Sequence, residues 1–125
     1  MSKLHSLRIA VASLALFASA SVFAHPKLLS TTPASHATVA APASISLSFS
    51  EKLLPVSGAD LVMTKMPGMS MPPMKMEAKA TPSADGMSLV VTPTKPLPVG
   101  TYRVDWHVVS TDTHAVKGTF EFTVK

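Results

Sequence analysis

Six of the eight methionines in this 125-residue chain fall within the 14 residues 63–76. Pro67, Gly68 and the Pro72-Pro73 pair interrupt this segment, so its methionines cannot form the apolar stripe of a helix. Exposed thioethers are open to oxidation, so their concentration in one segment needs a chemical reason. Thioethers are soft ligands that select Cu(I), and they carry no proton, so such a site binds metal over a wide pH range. The segment therefore predicts a soft-metal site, and a methionine-rich surface for another protein is the alternative.

A second set of candidate ligands depends on where the mature chain begins. Cleavage after Ala24 would leave His25 with a free amine, and this amine and its own imidazole can chelate one metal ion. Pro26 has no N–H, so the metal cannot recruit that backbone nitrogen and must complete its coordination from elsewhere in the fold. Asp112 and His114 can supply the missing ligands together, because residues two apart in an extended chain point to the same side.

The chemistry of this second set differs from that of the methionine segment. Amine and imidazole nitrogens with a carboxylate suit a tetragonal Cu(II) centre. The alternative for residues 110–114 is an ordinary polar turn between two strands. The other histidines of the mature chain are weaker candidates. His36 is expected to be solvated in a loop, and His107 to be a surface or sheet-packing residue of a strand. Trp106, the only tryptophan, is predicted to belong to the core.

Residues 1–24 have the organisation of a cleaved signal peptide. Lys3 and Arg8 form a positive start, residues 9–20 are an uncharged apolar run, and Ala24 is a small residue before the cleavage point. The apolar run is short for a transmembrane span, and an uncleaved membrane anchor is the alternative. The prediction is a mature chain of residues 25–125 in an extracytoplasmic compartment, a bacterial periplasm.

Charge and composition exclude several classes of function. The whole chain has a net charge of +4, but two of its eleven Lys and Arg and none of its seven acids lie in residues 1–24, which leaves nine against seven, or +2. No basic run or aromatic–arginine cluster remains, so nucleic-acid binding has little support. Without cysteine there is no disulfide, no Cys-ligated metal and no thiol nucleophile. About 100 residues can bury an adequate core as one domain without a disulfide.

Short strands separated by turns must position the candidate ligands. Apolar and polar residues alternate most clearly over 101–109, where Tyr102 and Trp106 share one face and Arg103 and His107 the other. Five segments are predicted to be strands: 45–50, 59–63, 87–92, 101–109 and 119–124. Residues 64–82 contain four prolines and are predicted to form a long loop or ragged edge. No helical stripe is visible after residue 24, so the pattern predicts an all-β antiparallel sandwich or small Greek-key barrel.

Taken in order, these motifs resemble the CopC/PcoC family of periplasmic copper-binding proteins. The resemblance covers essentially all of residues 25–125, and the ordered set is specific although each motif alone is not. Its carriers are His25-Pro26-Lys27-Leu28, Phe49-Ser50-Glu51, Met66-Pro67-Gly68-Met69, Tyr102-Arg103-Val104-Asp105-Trp106 and Ser110-Thr111-Asp112-Thr113-His114. The resemblance implies an immunoglobulin-like or cupredoxin-like Greek-key β-barrel, with a Cu(II) site at one end and a methionine-rich Cu(I) site at the other.

The resemblance also implies a role for individual residues. The Cu(II) ligands would be the amine and imidazole of His25 with Asp112 and His114, and Glu51 would lie beside that site without binding the metal. Some family members have a histidine near the position of Met71, and residues 63–76 have none, so a site built only from thioethers is expected. The Cu(I) ligands would be drawn from Met63, Met66, Met69, Met71 and Met74, with Met76 as a further candidate.

The function that follows is a soluble periplasmic copper carrier or buffer in copper resistance or homeostasis, monomeric and not an enzyme. The resemblance implies an inner-membrane copper transporter or a periplasmic multicopper oxidase as the partner that receives the copper. One alternative is an oxidative enzyme with a histidine brace, but Asp112 would fill a copper position and the seven aromatic residues offer no visible substrate platform. The other is a metal-free β-sandwich module whose methionine loop docks a partner.

Overall fold

Strands account for all the regular structure that a computed structural model describes in residues 25–125. The predicted signal peptide, residues 1–24, lies outside the described residues. No helix in the described part is long and apolar enough to cross a membrane. The nine strands are β1 (Leu28–Thr32), β2 (Thr38–Val39), β3 (Ile45–Phe49), β4 (Gly58–Lys65), β5 (Met74–Met76), β6 (Ala78–Pro82), β7 (Ser88–Pro93), β8 (Gly100–Val109) and β9 (Ala115–Val124).

These strands form two sheets that pack face to face. The four-stranded sheet has the order β1-β3-β7-β6, and the five-stranded sheet has the order β2-β9-β8-β4-β5. Neighbouring strands run antiparallel except for the short parallel pair of β2 with β9. The arrangement confirms the predicted all-β sandwich.

The core lies between the two sheets, where alternate residues of each strand point inward. Tyr102, Val104 and Trp106 of β8 are buried, whereas the intervening Arg103 and Asp105 lie at the surface side and form an ion pair at 2.7 Å. Phe49 of β3 meets Trp106 edge to face, with ring centroids 5.2 Å apart. This contact joins the two sheets and confirms the predicted core position of Trp106.

Tyr102 ties the loop before β8 to the sandwich. Its side chain is fully buried, and its hydroxyl donates a hydrogen bond to the carbonyl of Pro98, four residues upstream, at 2.6 Å. A buried tyrosine bonded back to the preceding loop is the corner found in Greek-key sandwiches. Burial raises the pKa of Tyr102 to about 12.

Raising the pH from about 10 to about 12 should lower the free energy of unfolding, and Tyr102→Phe should remove that part of the pH dependence. The pKa of Tyr102 is about 12 in the folded state and 10.0 ordinarily, so its stabilising contribution is complete below pH 10 and is lost as the pH rises through 12. Urea unfolding followed by Trp106 fluorescence measures the effect, and the absorbance of tyrosinate follows ionisation of this single tyrosine. Parallel pH curves for the two proteins would contradict the prediction.

Of the two predictions for residues 64–82, a long loop and a ragged edge, the structure corrects the first and agrees with the second. Residues 74–76 form β5, which pairs with β4, and residues 78–82 form β6, which pairs with β7. Both are edge strands that need a hydrogen-bonded neighbour on one side only, so the adjacent prolines are tolerated. Glu77 lies between them, where the chain passes from the five-stranded sheet to the four-stranded sheet. The irregular part of the segment is therefore confined mainly to residues 66–73.

Candidate functional site

The first candidate site lies where the described chain begins. Ser50 binds this segment twice, since its backbone N–H donates to the carbonyl of Lys27 at 2.9 Å and its Oγ accepts from the N–H of Lys27 at 2.8 Å. Pro26 is buried and His25 is exposed. The imidazole of His25 lies beside that of His114, with ring centroids 4.8 Å apart and planes tilted by 56°. Two residues from distant parts of the sequence therefore present nitrogen donors at one place.

A tight turn between β8 and β9 supplies the other candidate ligands. The N–H of Thr113 donates to the carbonyl of Ser110 at 2.8 Å, and the N–H of Ser110 donates to the carbonyl of His114 at 3.0 Å. This closes a three-residue hairpin loop that ends on Thr113, whose φ is 69°. Nδ1 of His114 lies 3.3 Å from Oδ2 of Asp112. The polar turn and the predicted ligand pair are thus the same feature, because the turn brings these two side chains together.

The carboxylate of Asp112 is held in its charged form. A hydrogen bond from Ser110, together with the nearby His114, keeps the pKa of Asp112 below its ordinary value, although burial opposes this. The side chains of Asp112 and His114 are 34% and 32% exposed, so an ion from solvent can reach both. A carboxylate beside two imidazoles is a donor set that suits Cu(II) and similar divalent ions.

The loop after β3 holds Glu51 between the two segments of this site. Ser50, on one side of Glu51, bonds the segment that carries His25. The backbone carbonyl of Lys52, on the other side, accepts a hydrogen bond from the N–H of Thr111 at 3.0 Å. Glu51 itself is half-buried, and its two chain neighbours bond the two ligand-bearing segments. Its place beside the Cu(II) site was predicted from the family resemblance alone.

These residues are neighbours rather than a closed cage. Within residues 25–125, no three His, Asp or Glu side chains stand in a geometry that could already hold a metal ion. Building a centre from His25, Asp112 and His114 therefore requires rotation of exposed or partly exposed side chains.

Thr113 occupies a backbone conformation that a β-branched residue rarely adopts. Thr113→Asn should raise the free energy of unfolding by about 1 kcal/mol, because asparagine tolerates positive φ at much lower cost. Urea unfolding measures the change. Thr111→Asn is the matched control, since Thr111 is an exposed residue of the same turn without positive φ, and it should have little effect. A loss of stability in Thr113→Asn would contradict the prediction.

The methionine segment begins with a turn at the other end of the sandwich. The N–H of Met69 donates to the carbonyl of Met66 at 3.1 Å, with Pro67 and Gly68 at the centre of the turn and a φ of 71° at Gly68. Proline followed by a residue of positive φ is typical of a type II turn, which explains the Pro-Gly pair. This turn follows β4 beside the start of β8, whereas the Asp112 turn follows the end of β8. A ten-residue strand separates the two sites by roughly 30 Å.

The methionines differ in exposure. Met69 and Met74 are 59% and 46% exposed, and Met66, Met71 and Met76 are partly buried against the core. Met66, Met69 and Met71 line a surface depression of about 460 Å³. Met74 pairs with Met63 across β5 and β4, on the face that points into the sandwich.

Met63 stands apart from the other predicted Cu(I) ligands. Its side chain is fully buried, and its Cε lies 3.4 Å from where a Cβ on Gly100 would stand. The structure therefore places Met63 in the core, where it packs as an apolar residue. The partly exposed methionines at positions 66, 69, 71, 74 and 76 remain the candidate soft ligands.

The two remaining histidines of residues 25–125, His36 and His107, lie at the surface. His107 is an exposed residue of β8 that leans on Gly58, and a Cβ there would meet its Cε1 at 3.0 Å. His36 is exposed, and its backbone N–H donates to the carbonyl of Glu121 at 2.7 Å. Both positions confirm the predicted surface locations.

Ser110 and Ser50 hold the two halves of the first site, although neither was predicted to have a role. Ser110 is 1% exposed and donates a short hydrogen bond from Oγ to Oδ1 of Asp112. The only sequence signal for it is a small hydroxyl residue two positions before an aspartate, a pattern typical of turns. Ser50 carries no comparable local signal, because its partner Lys27 lies in a different strand segment.

Known copper resistance proteins are similar to this chain in sequence. The family model described as the CopC domain matches residues 28–125. The chain is 68% identical over 112 residues to copper resistance protein C of Xanthomonas campestris pv. juglandis, covering 89% of this chain and 88% of that protein. It is 53% identical over 107 residues to copper resistance protein C of Escherichia coli, covering 84% and 85%.

A solved structure agrees with the fold. The crystal structure of PcoC, a methionine-rich copper resistance protein from Escherichia coli, matches with a TM-score of 0.74 and 52% identity, covering 82% of this chain and 100% of that one. The sandwich, the order of the motifs and these likenesses agree with the family resemblance seen in the sequence. The chain belongs to the CopC domain family.

Proposed function

We propose that this protein is a periplasmic copper carrier or buffer in copper resistance or homeostasis. The observation that carries the proposal is the presence of two chemically distinct donor sets at opposite ends of one sandwich, one of nitrogen and carboxylate and one of thioethers. Residues 25–125 form the copper-binding domain, and residues 1–24 are the signal peptide that directs it to the periplasm. Relatives named copper resistance proteins support copper as the ligand.

The Cu(II) site consists of His25, Asp112 and His114. His25 supplies its imidazole and, after cleavage of the signal peptide, its amine. The 4.8 Å separation of the two imidazole rings and the 3.3 Å separation of Asp112 from His114 support a shared ion. The charged carboxylate partly neutralises the ion, and Glu51 adds a second negative charge nearby.

The Cu(I) site is built from the thioethers of residues 66–76. Met66, Met69 and Met71 share a surface depression, and Met74 is exposed on the neighbouring edge strand. Met76 is a further candidate, and Met63 packs beneath them. Because these donors carry no proton and are soft, they favour Cu(I) over Cu(II) and bind it independently of pH.

Exposed sites suit transfer of copper rather than its permanent retention. A carrier must release its ion to a partner, and donors on edge strands and surface turns can be approached directly by another protein. An inner-membrane copper transporter or a periplasmic multicopper oxidase is the proposed recipient. A monomeric carrier, rather than an oxidative enzyme, fits a protein whose relatives are named for copper resistance.

Titration of the mature protein with Cu(II) in air and with Cu(I) under a reductant tests the proposal. Mass spectrometry first establishes that the protein begins at His25. We expect one ion of each oxidation state to bind, and protein loaded with Cu(II) should still take up Cu(I) that is supplied as a preformed complex without free reductant, which would otherwise reduce the bound Cu(II). Failure to bind either ion, or competition of the two ions for a single site, would overturn the proposal.

A further inference from the structure

Ser110 directs all of its polar groups to the turn that carries Asp112 and His114. Its N–H donates to the carbonyl of His114 at 3.0 Å, and its carbonyl accepts from the N–H of Thr113 at 2.8 Å. Its Oγ donates to Oδ1 of Asp112 and lies 3.4 Å from the carbonyl oxygen of His114. The residue is 1% exposed, and an isolated β-bridge pairs its backbone with that of Leu53, so the residue that carries the hydroxyl is fixed in position.

The hydrogen bond from Ser110 gives the two oxygens of the Asp112 carboxylate different partners. Oδ1 is occupied by the hydroxyl proton of Ser110, whereas Oδ2 faces Nδ1 of His114 at 3.3 Å. The ring of His114 in turn lies against that of His25. Oδ2 is therefore the oxygen directed toward the imidazole of His114, and Oδ1 is turned back toward Ser110.

We propose that Ser110 is a positioning residue for the Cu(II) site, which fixes Oδ1 of Asp112 so that Oδ2 alone is offered to the metal. The inference rests on the Cu(II) site proposed above and adds to it the determinant of how its carboxylate binds. The side chain of Asp112 is about a third exposed. Without the Ser110 hydroxyl, its carboxylate can rotate about its terminal bond, so metal binding must itself fix the orientation of the carboxylate. Residues that orient a ligand in this way typically change metal affinity by about 10–100-fold.

Ser57 provides a matched control for Ser110. It is also a buried serine, 3% exposed, and it lies at the same end of the sandwich. Its Oγ accepts from the N–H of Val109 at 2.9 Å and lies 3.3 Å from the carbonyl of Val109, the residue before Ser110. Ser57→Ala therefore removes a buried hydroxyl that supports the end of β8 without touching a proposed ligand.

The experiment compares Ser110→Ala, Ser110→Thr and Ser110→Val with Ser57→Ala in the mature protein. Threonine and valine have nearly the same shape, so this pair isolates the hydroxyl if Ser110→Ala fails to fold. Competition with a chelator gives the Cu(II) affinity, and electron paramagnetic resonance gives the ligand geometry. We expect about 10–100-fold weaker Cu(II) binding and an altered spectrum in the Ala and Val variants, with recovery in Ser110→Thr. Cu(I) affinity should stay unchanged in all of them.

Two outcomes for the variants of Ser110 itself overturn its role. One is wild-type affinity and spectrum in Ser110→Ala, and the other is equal affinity in Ser110→Thr and Ser110→Val. A loss of Cu(II) affinity in Ser57→Ala as large as in Ser110→Ala would also overturn it, because general loosening of the turn would then explain both. Failure of the underlying site is distinguishable, since Cu(II) binding to the wild type would then not depend on His25.

Discussion

Replacing His25 by Ala should reduce Cu(II) affinity by more than the roughly 10–100-fold that loss of a residue merely bonded to a ligand costs. The imidazole of His25 is a proposed direct ligand that meets His114 at a centroid distance of 4.8 Å. Acetylation of the amine of His25 should have an effect of the same order, because it removes the second donor of the chelate and leaves the side chain intact. Chelator competition and electron paramagnetic resonance on the mature protein measure both changes.

Acetylation is a sharper test than extension of the chain. An added residue would place a new amine and an amide nitrogen within chelating reach of the imidazole, so copper binding could persist by another route. His36→Ala is the matched control, since His36 is exposed and lies outside the site. We expect no change of Cu(II) affinity in this variant. Unchanged Cu(II) binding after acetylation and after His25→Ala would exclude the N-terminal site.

Local pattern was sufficient to predict the strands that carry the core. The alternation over residues 101–109 predicts the buried face of Tyr102 and Trp106 because strand side chains alternate strictly, and the structure confirms it. The prediction missed β5 and β6, which are edge strands of only three and five residues. They pair with β4 and β7, their neighbours in sequence, but they are too short for alternation to be visible, and the surrounding prolines favour a loop.

The candidate ligands were likewise predicted from the sequence only in part. The residue types at His25, Asp112 and His114 predict the chemistry, but only the path of the chain determines that the two imidazoles meet. The contact of the two imidazoles depends on Ser50, which hydrogen-bonds Lys27 and so holds the segment of His25 against the loop after β3. The spacing of residues in the sequence does not reveal this hydrogen bond. The sequence also does not show which methionines are exposed, since Met63 is a core residue with the same side chain as its exposed neighbours.

Removal of three solvent-accessible thioethers should weaken the Cu(I) site without disturbing the Cu(II) site. We expect Met66→Leu, Met69→Leu and Met74→Leu together to weaken Cu(I) binding by roughly two orders of magnitude or more, because three direct soft donors are lost at once. Leucine keeps the apolar volume of methionine, and such exchanges usually cost less than about 1.5 kcal/mol each. Titration with Cu(I) under a reductant, in competition with a Cu(I) chelator, measures the loss.

Two single variants make this experiment specific to the exposed part of the methionine segment. Met87→Leu changes a methionine that is 36% exposed but lies outside the segment, and Met63→Leu changes the fully buried one. Neither should alter Cu(I) affinity, because Met87 lies outside the methionine segment and Met63 is buried in the core. Cu(II) affinity should be unchanged in every variant, since the two sites lie at opposite ends of β8, roughly 30 Å apart. Wild-type Cu(I) affinity in the triple variant would exclude the methionine loop as the soft-metal site, and a loss in Met63→Leu as large as in the triple variant would place the ion against the core instead.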